Sequence, residues 1–234
     1  MDLQFRLFGI PVQANLLFFL TVLLIRPREG DGPALALAWV VIAFAGVLLH
    51  ELGHALTARA LGQAPRIALH AMGGVTYWSP RGDLGAWKHV AIGAAGPGVG
   101  VVLGLAAWVA EGIAGLTRDE GPAGVALDYL VWVNLGWGVF NLLPMMPLDG
   151  GNILAAGLEG LFGAGGRLAA RGVSVAVALG VAALALAGGA YFAAALCALF
   201  VYTNVQVLRA ERAARRAAEA PTPEPSPPLG PGVN

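Results

Sequence analysis

Charge is what this sequence has least of. Only 12% of its 234 residues are Asp, Glu, Lys or Arg, about half of what a water-soluble domain spends on its surface. That excludes an ordinary soluble enzyme, and the 57% hydrophobic content excludes a disordered chain. An excess of either sign is missing as well: 14 basic residues balance 14 acidic ones, so the charge balance offers nothing to hold nucleic acid. Cysteine is almost absent. Cys197 alone rules out an internal disulfide and any multi-cysteine metal site, and its apolar neighbours mark it as a packing residue. Lysine is nearly absent too, with arginine supplying 13 of the 14 basic residues, which we read as a bias of composition. No internal repeat of fixed period is present.

What the sequence does have is long apolar runs, with a mean hydropathy of +0.71. They describe a polytopic membrane protein. Candidate spans are Leu7 to Ile25, Ala34 to Leu61, Val90 to Ala110 and Ala123 to Leu143. Pro11, Gln13 and Asn15 interrupt the first, and no small-residue cleavage site follows, so it reads as a retained span. The uncharged run between Arg171 and Arg209 has 37 residues. One helix of that length would reach about 55 Å, far beyond a hydrocarbon core of about 30 Å. Gly188-Gly189 at its middle divides it into two spans, which makes six.

Arginine placement supports six. With both termini cytoplasmic, eleven basic residues fall inside and three, Arg26, Arg28 and Arg118, fall outside. Residues 1–210 are expected to form one membrane domain. Residues 211–234 form a cytoplasmic tail, Pro-rich and disordered from about 221. The fold class is therefore all-α and polytopic, with about six transmembrane helices. One exception is expected. From Arg66 to Trp78 apolar residues alternate, and Gly73-Gly74 can turn the chain, so a short membrane-associated β-hairpin lies between the second and third spans.

The chemistry concentrates in His50-Glu51-Leu52-Gly53-His54. On a helix, residues i and i+4 share a face, so both imidazoles reach one ion, with Glu51 offset by one residue to meet water there. Ionisable groups inside a membrane helix are costly and mark function. A catalytic zinc takes three protein ligands and keeps a position for water. Glu111 and Asp128 fall near the outer ends of their spans, whereas Asp149 falls at the inner depth of His50 and His54, so topology selects Asp149. Its setting, Asn141-Leu142-Leu143-Pro144-Met145-Met146-Pro147-Leu148-Asp149-Gly150-Gly151, resists helix continuation at two prolines. His70 and His89 read as ordinary interfacial residues, and Asp128 and Asn134 as hydrogen-bonding groups facing the bundle interior. The glycines of the third span read as close helix packing.

HELGH on an apolar helix, followed by NLLPMMPLDGG at the end of a later one, resembles the site-2 protease family of intramembrane zinc metalloproteases. Phe8-Gly9-Ile10-Pro11-Val12, Met72-Gly73-Gly74-Val75 and Ala94-Ala95-Gly96-Pro97 resemble family stretches too, so the likeness runs from about Leu7 to Leu161. It implies one Zn2+ per chain on His50, His54 and Asp149, with Glu51 as the catalytic carboxylate. Asn141 matches the asparagine of the family's NxxP element, which holds the loop or the substrate backbone. Gly73 and Gly74 match the stretch before the third span. Gly100 and Asn152 depart from common family residues, which bears on substrate handling and not on the ligands.

The resemblance further implies a compact bacterial type without a PDZ or CBS domain, in the inner membrane. Its activity would be hydrolysis of a peptide bond in or near a transmembrane segment. The substrate would be a single-span membrane protein, such as a membrane-bound transcription regulator or a remnant signal peptide. A second class of function is transport of a divalent metal through the bundle, which leaves Glu51 beside two ligands unexplained, and a third is a catalytically silent relative that only binds partners, against which the intact motifs argue.

Overall fold

The computed structural model describes residues 2–25, 32–79, 84–115 and 121–219. Two strands open the chain, β1 (Asp2–Leu7) and β2 (Ile10–Asn15), and a short helix α1 (Leu16–Leu24) follows. Then come α2 (Pro33–Ala60), the strands β3 (Ala64–His70) and β4 (Gly73–Ser79), and α3 (Ala86–Ala114). α4 (Pro122–Val131) passes through a π-helical turn, Trp132–Gly136, into α5 (Trp137–Asn141). The chain ends on α6 (Asp149–Phe162), α7 (Ala164–Ala187) and α8 (Tyr191–Glu219).

Five helical stretches are long and apolar enough to cross a membrane: Pro33–Ala60, Ala86–Ala114, Pro122–Asn141, Ala164–Ala187 and Tyr191–Ala214. The run between Arg171 and Arg209 is indeed two helices, parted at Gly188 and at Gly189, whose φ of +75° favours glycine. α8 continues through residue 210 to Glu219, and the Pro-rich stretch from 221 lies outside the described residues.

The first expected span differs. Only Leu16–Leu24 is helical, nine residues or about 14 Å, too short to cross about 30 Å alone. Before it, Ile10, Val12 and Ala14 point inward and Pro11 and Gln13 point out, which is the period of a strand. The expected hairpin is correspondingly half of a larger object, so the fold is not all-α. The sheet order is β1-β2-β3-β4, antiparallel at both ends and parallel in the middle, where Val12 faces Ile67 and Ala14 faces Leu69. β1 and β4 are its edges.

The sheet is held against α2 by burial. Ile10, Val12, Ile67 and Leu69 form one cluster with Leu48, Leu52 and Ala55 of α2. Each large member contributes about 1.5–3 kcal/mol. Arg59, near the end of α2, donates to the carbonyl of Phe8 in the β1–β2 turn. α1 packs against α2 through Phe18 and Val22, and Trp39 of α2 donates to the Val22 carbonyl at 2.7 Å. Inside the bundle Asn134 is buried and donates to the Leu130 carbonyl, as expected of an inward-facing group, and Asp128 is half-buried.

Candidate metal centre

α2 carries His50, Glu51 and His54 on buried turns, each only 5–6% exposed. The two imidazoles converge on Asp149, the first residue of α6. His50 Nε2 lies 2.9 Å and His54 Nε2 3.4 Å from Asp149 Oδ2, and the two Nε2 atoms are 3.2 Å apart. One ligand atom from each residue falls within 4.8 Å of the others.

His54 is oriented from behind. Its Nδ1 lies 2.7 Å from the carbonyl oxygen of Ile92 on α3. A carbonyl only accepts, so Nδ1 carries the proton and Nε2 keeps its lone pair for an ion. Burial pushes the Asp149 carboxyl up, but hydrogen bonds and charge from His50 and His54 outweigh this and hold it at about 2. Two imidazole nitrogens and one carboxylate oxygen, aimed at one point, are the donor set of a zinc site with a position left open. α3 permits this crowding by having no side chain at Gly96, where a Cβ would overlap the His54 ring.

Asp149 reaches the histidines because the chain between α5 and α6 is not helical. Pro144 and Pro147 cannot donate to a helix, and the Leu148 N–H closes a turn on the Met145 carbonyl instead. Gly150 then packs against the Leu142 carbonyl and Gly151 against the Met145–Met146 peptide.

Glu51 faces the sheet. The Thr76 hydroxyl of β4 donates to Glu51 Oε2 at 2.6 Å, with the Glu51 carbonyl oxygen 3.1 Å away. Gly74, two residues earlier on the same face of β4, lies so close that a Cβ there would be 2.5 Å from Glu51 Cγ. One edge of the sheet therefore runs past the carboxylate.

His50, His54 and Asp149 thus come together, with Glu51 the next residue after His50 on α2 and Gly74 against Glu51. Gly73 opens β4 with a φ of +118° and sits nearest Trp137. Asn141 is buried at the end of α5, where the loop begins. His70 accepts from the Met72 N–H, and His89 is exposed near Trp78, so neither joins the cluster. The sequence reading missed Thr76. Its signal is the strand period, which puts residues 74 and 76 on one face.

Residues 112–188 match the model of peptidase family M50. The Synechocystis sp. protein sll0528 is 34% identical over 161 residues, 63% of this chain and 41% of that protein. A zinc metalloprotease of Methanocaldococcus jannaschii is 32% identical over 162 residues, 68% of this chain and 46% of that one. The chain therefore spans less than half the length of these relatives. The solved structure of the site-2 protease from M. jannaschii superposes with a TM-score of 0.60 at 24% identity, over 89% of this chain and 95% of that one, which shows a shared fold. The chain thus shares its fold with that site-2 protease and brings three residues able to hold a metal ion together between apolar helices. Its match to peptidase family M50 lies within residues 112–188.

Proposed function

We propose that this chain is a zinc-dependent intramembrane endopeptidase that hydrolyses a peptide bond in or near a transmembrane segment of a membrane-protein substrate. One observation carries the reading: three metal-ligating atoms converge beside a buried glutamate that faces the edge of a sheet. His50, His54 and Asp149 would hold the ion, which when bound would supply Lewis acidity to acidify water and polarise a carbonyl. Thr76 orients the Glu51 carboxylate, which takes a proton from the attacking water. Glu51 then returns that proton to the leaving amide nitrogen as the peptide bond breaks.

A helical substrate hides its peptide bonds and has to be extended first. β3 is covered by β2 on one side and β4 on the other, so β4 is the edge free to add a substrate strand beside Glu51. Asn141, Gly73 and Gly74 position the loop and that edge. Partners are the bilayer and a single-span membrane protein, such as a membrane-bound transcription regulator or a remnant signal peptide.

A first crossing is counted in the apolar segment that holds α1, and with it six, although α1 alone is short. Both termini then lie on the sheet side, the cytoplasmic face of a bacterial inner membrane. Residues 1–210 form the protease domain and 211–234 the tail.

The test compares membrane-protein fragments in native cells carrying the wild-type chain or Glu51→Gln. A full-length or pre-trimmed single-span protein should accumulate only with the variant. Matching profiles across several stresses, together with zinc flux in vesicles unchanged by Glu51→Gln, would instead establish the transport reading.

A further inference from the structure

The loop that delivers Asp149 is short of partners of its own. Two of its residues are prolines, and its turn uses the Met145 carbonyl and the Leu148 N–H. That leaves the N–H and C=O of Met146, a buried residue, to be satisfied from elsewhere. Both find partners on the last two helices. Ser174 Oγ of α7 accepts from the Met146 N–H at 3.1 Å and itself donates to the Ala170 carbonyl at 2.9 Å. Asn204 Nδ2 of α8 donates to the Met146 carbonyl at 2.7 Å and to the Phe200 carbonyl at 2.8 Å. Ser174 is 0% and Asn204 3% exposed, so water cannot replace either bond. Met145, also fully buried, packs with Ala178, Cys197 and Phe200 of the same two helices.

We propose that Ser174 and Asn204 are positioning residues for the metal centre, clamping the Met146 peptide so that Asp149, three residues on, meets His50 and His54. The proposal rests on the metal-site reading above. It assigns α7 and α8 a part in the chemistry although they supply none of the three ligands. Each clamp bond removed leaves a buried donor or acceptor unpaired, and the loop relieves this only by moving. Outer partners of metal ligands change affinity by about 10–100-fold when lost, and a clamp acting through the backbone belongs at the lower end.

The experiment measures zinc affinity of the purified full chain by chelator competition, and the visible spectrum of its Co2+ form. Ser174→Ala and Asn204→Ala are each expected to weaken zinc binding about tenfold and to alter the Co2+ bands. Val181→Ala, two turns further along α7 in the same apolar cluster, should lower the melting temperature and leave both readouts at wild-type values. Wild-type affinity and spectrum in both clamp variants would overturn the proposal. So would equal losses in Val181→Ala, which would make the effect general destabilisation. Should the alanine variants not fold, Ser174→Cys keeps the volume and a weak acceptor. It should lose affinity severalfold, and unchanged binding there would also overturn the clamp. A wild-type chain that binds no zinc would instead remove the metal reading beneath it.

Discussion

The hydroxyl of Thr76 donates a 2.6 Å hydrogen bond to Oε2 of Glu51, and this one contact ties the sheet to the helix that carries the metal ligands. A strand that could have been a passive connector instead orients the Glu51 carboxyl group.

Thr76→Val removes that donor while keeping the side chain's shape. A positioned general base contributes about 10²–10⁴-fold; loosening it without deleting it should lower kcat about tenfold, with zinc content unchanged. Thr76→Ser, which keeps the hydroxyl, should recover most of the rate. Equal rates for Val and wild type would deny Thr76 this role.

Two glycines separate the carboxylate from the ligands. Gly74→Ala drives a Cβ into Glu51, so cleavage should fall at least tenfold while zinc stays bound. Gly96→Ala drives one into the His54 ring, so zinc itself should be lost. Such overpacking costs about 1–3 kcal/mol, so both variants should melt at lower temperature. Metal analysis of the two proteins checks the contrast; zinc lost from both, or from neither, would contradict it.

His54→Ala and Asp149→Ala each remove one of three ligands and should abolish stoichiometric zinc in the purified chain. Glu51→Gln should retain it, because Glu51 hydrogen-bonds Thr76 and is not one of the three residues whose ligand atoms converge. Zinc loss in Glu51→Gln, with the fold intact, would make Glu51 a ligand.

Treatment with a strong chelator should stop cleavage of a reconstituted single-span substrate, and added Zn2+ should restore it. Activity that survives complete removal of zinc would leave the cluster without its assigned work.

The residues that meet in the candidate metal centre were legible in two ways: His50 and His54 through the local constraint of helical spacing, and Asp149, 99 residues after His50, through a proline-broken segment at matching depth. The five long helices were legible because hydropathy accumulates over many residues. The first span was not, because Leu7 to Ile25 is apolar as strand or helix; only the alternation of Ile10, Val12 and Ala14 with polar or proline residues carried the difference. Thr76, Ser174 and Asn204 had no signature of their own. They act across 25, 28 and 58 residues of sequence, on partners that only the folded chain brings near.

The central claim, one zinc held between α2 and the start of α6, is tested most directly by zinc analysis and zinc-edge X-ray absorption on the purified full chain. The account expects about one zinc per chain, with nitrogen and oxygen ligands that include two imidazoles, and its loss when His54 and Asp149 are both replaced by alanine. A folded wild-type chain without zinc, or the same absorption spectrum after both replacements, would contradict it.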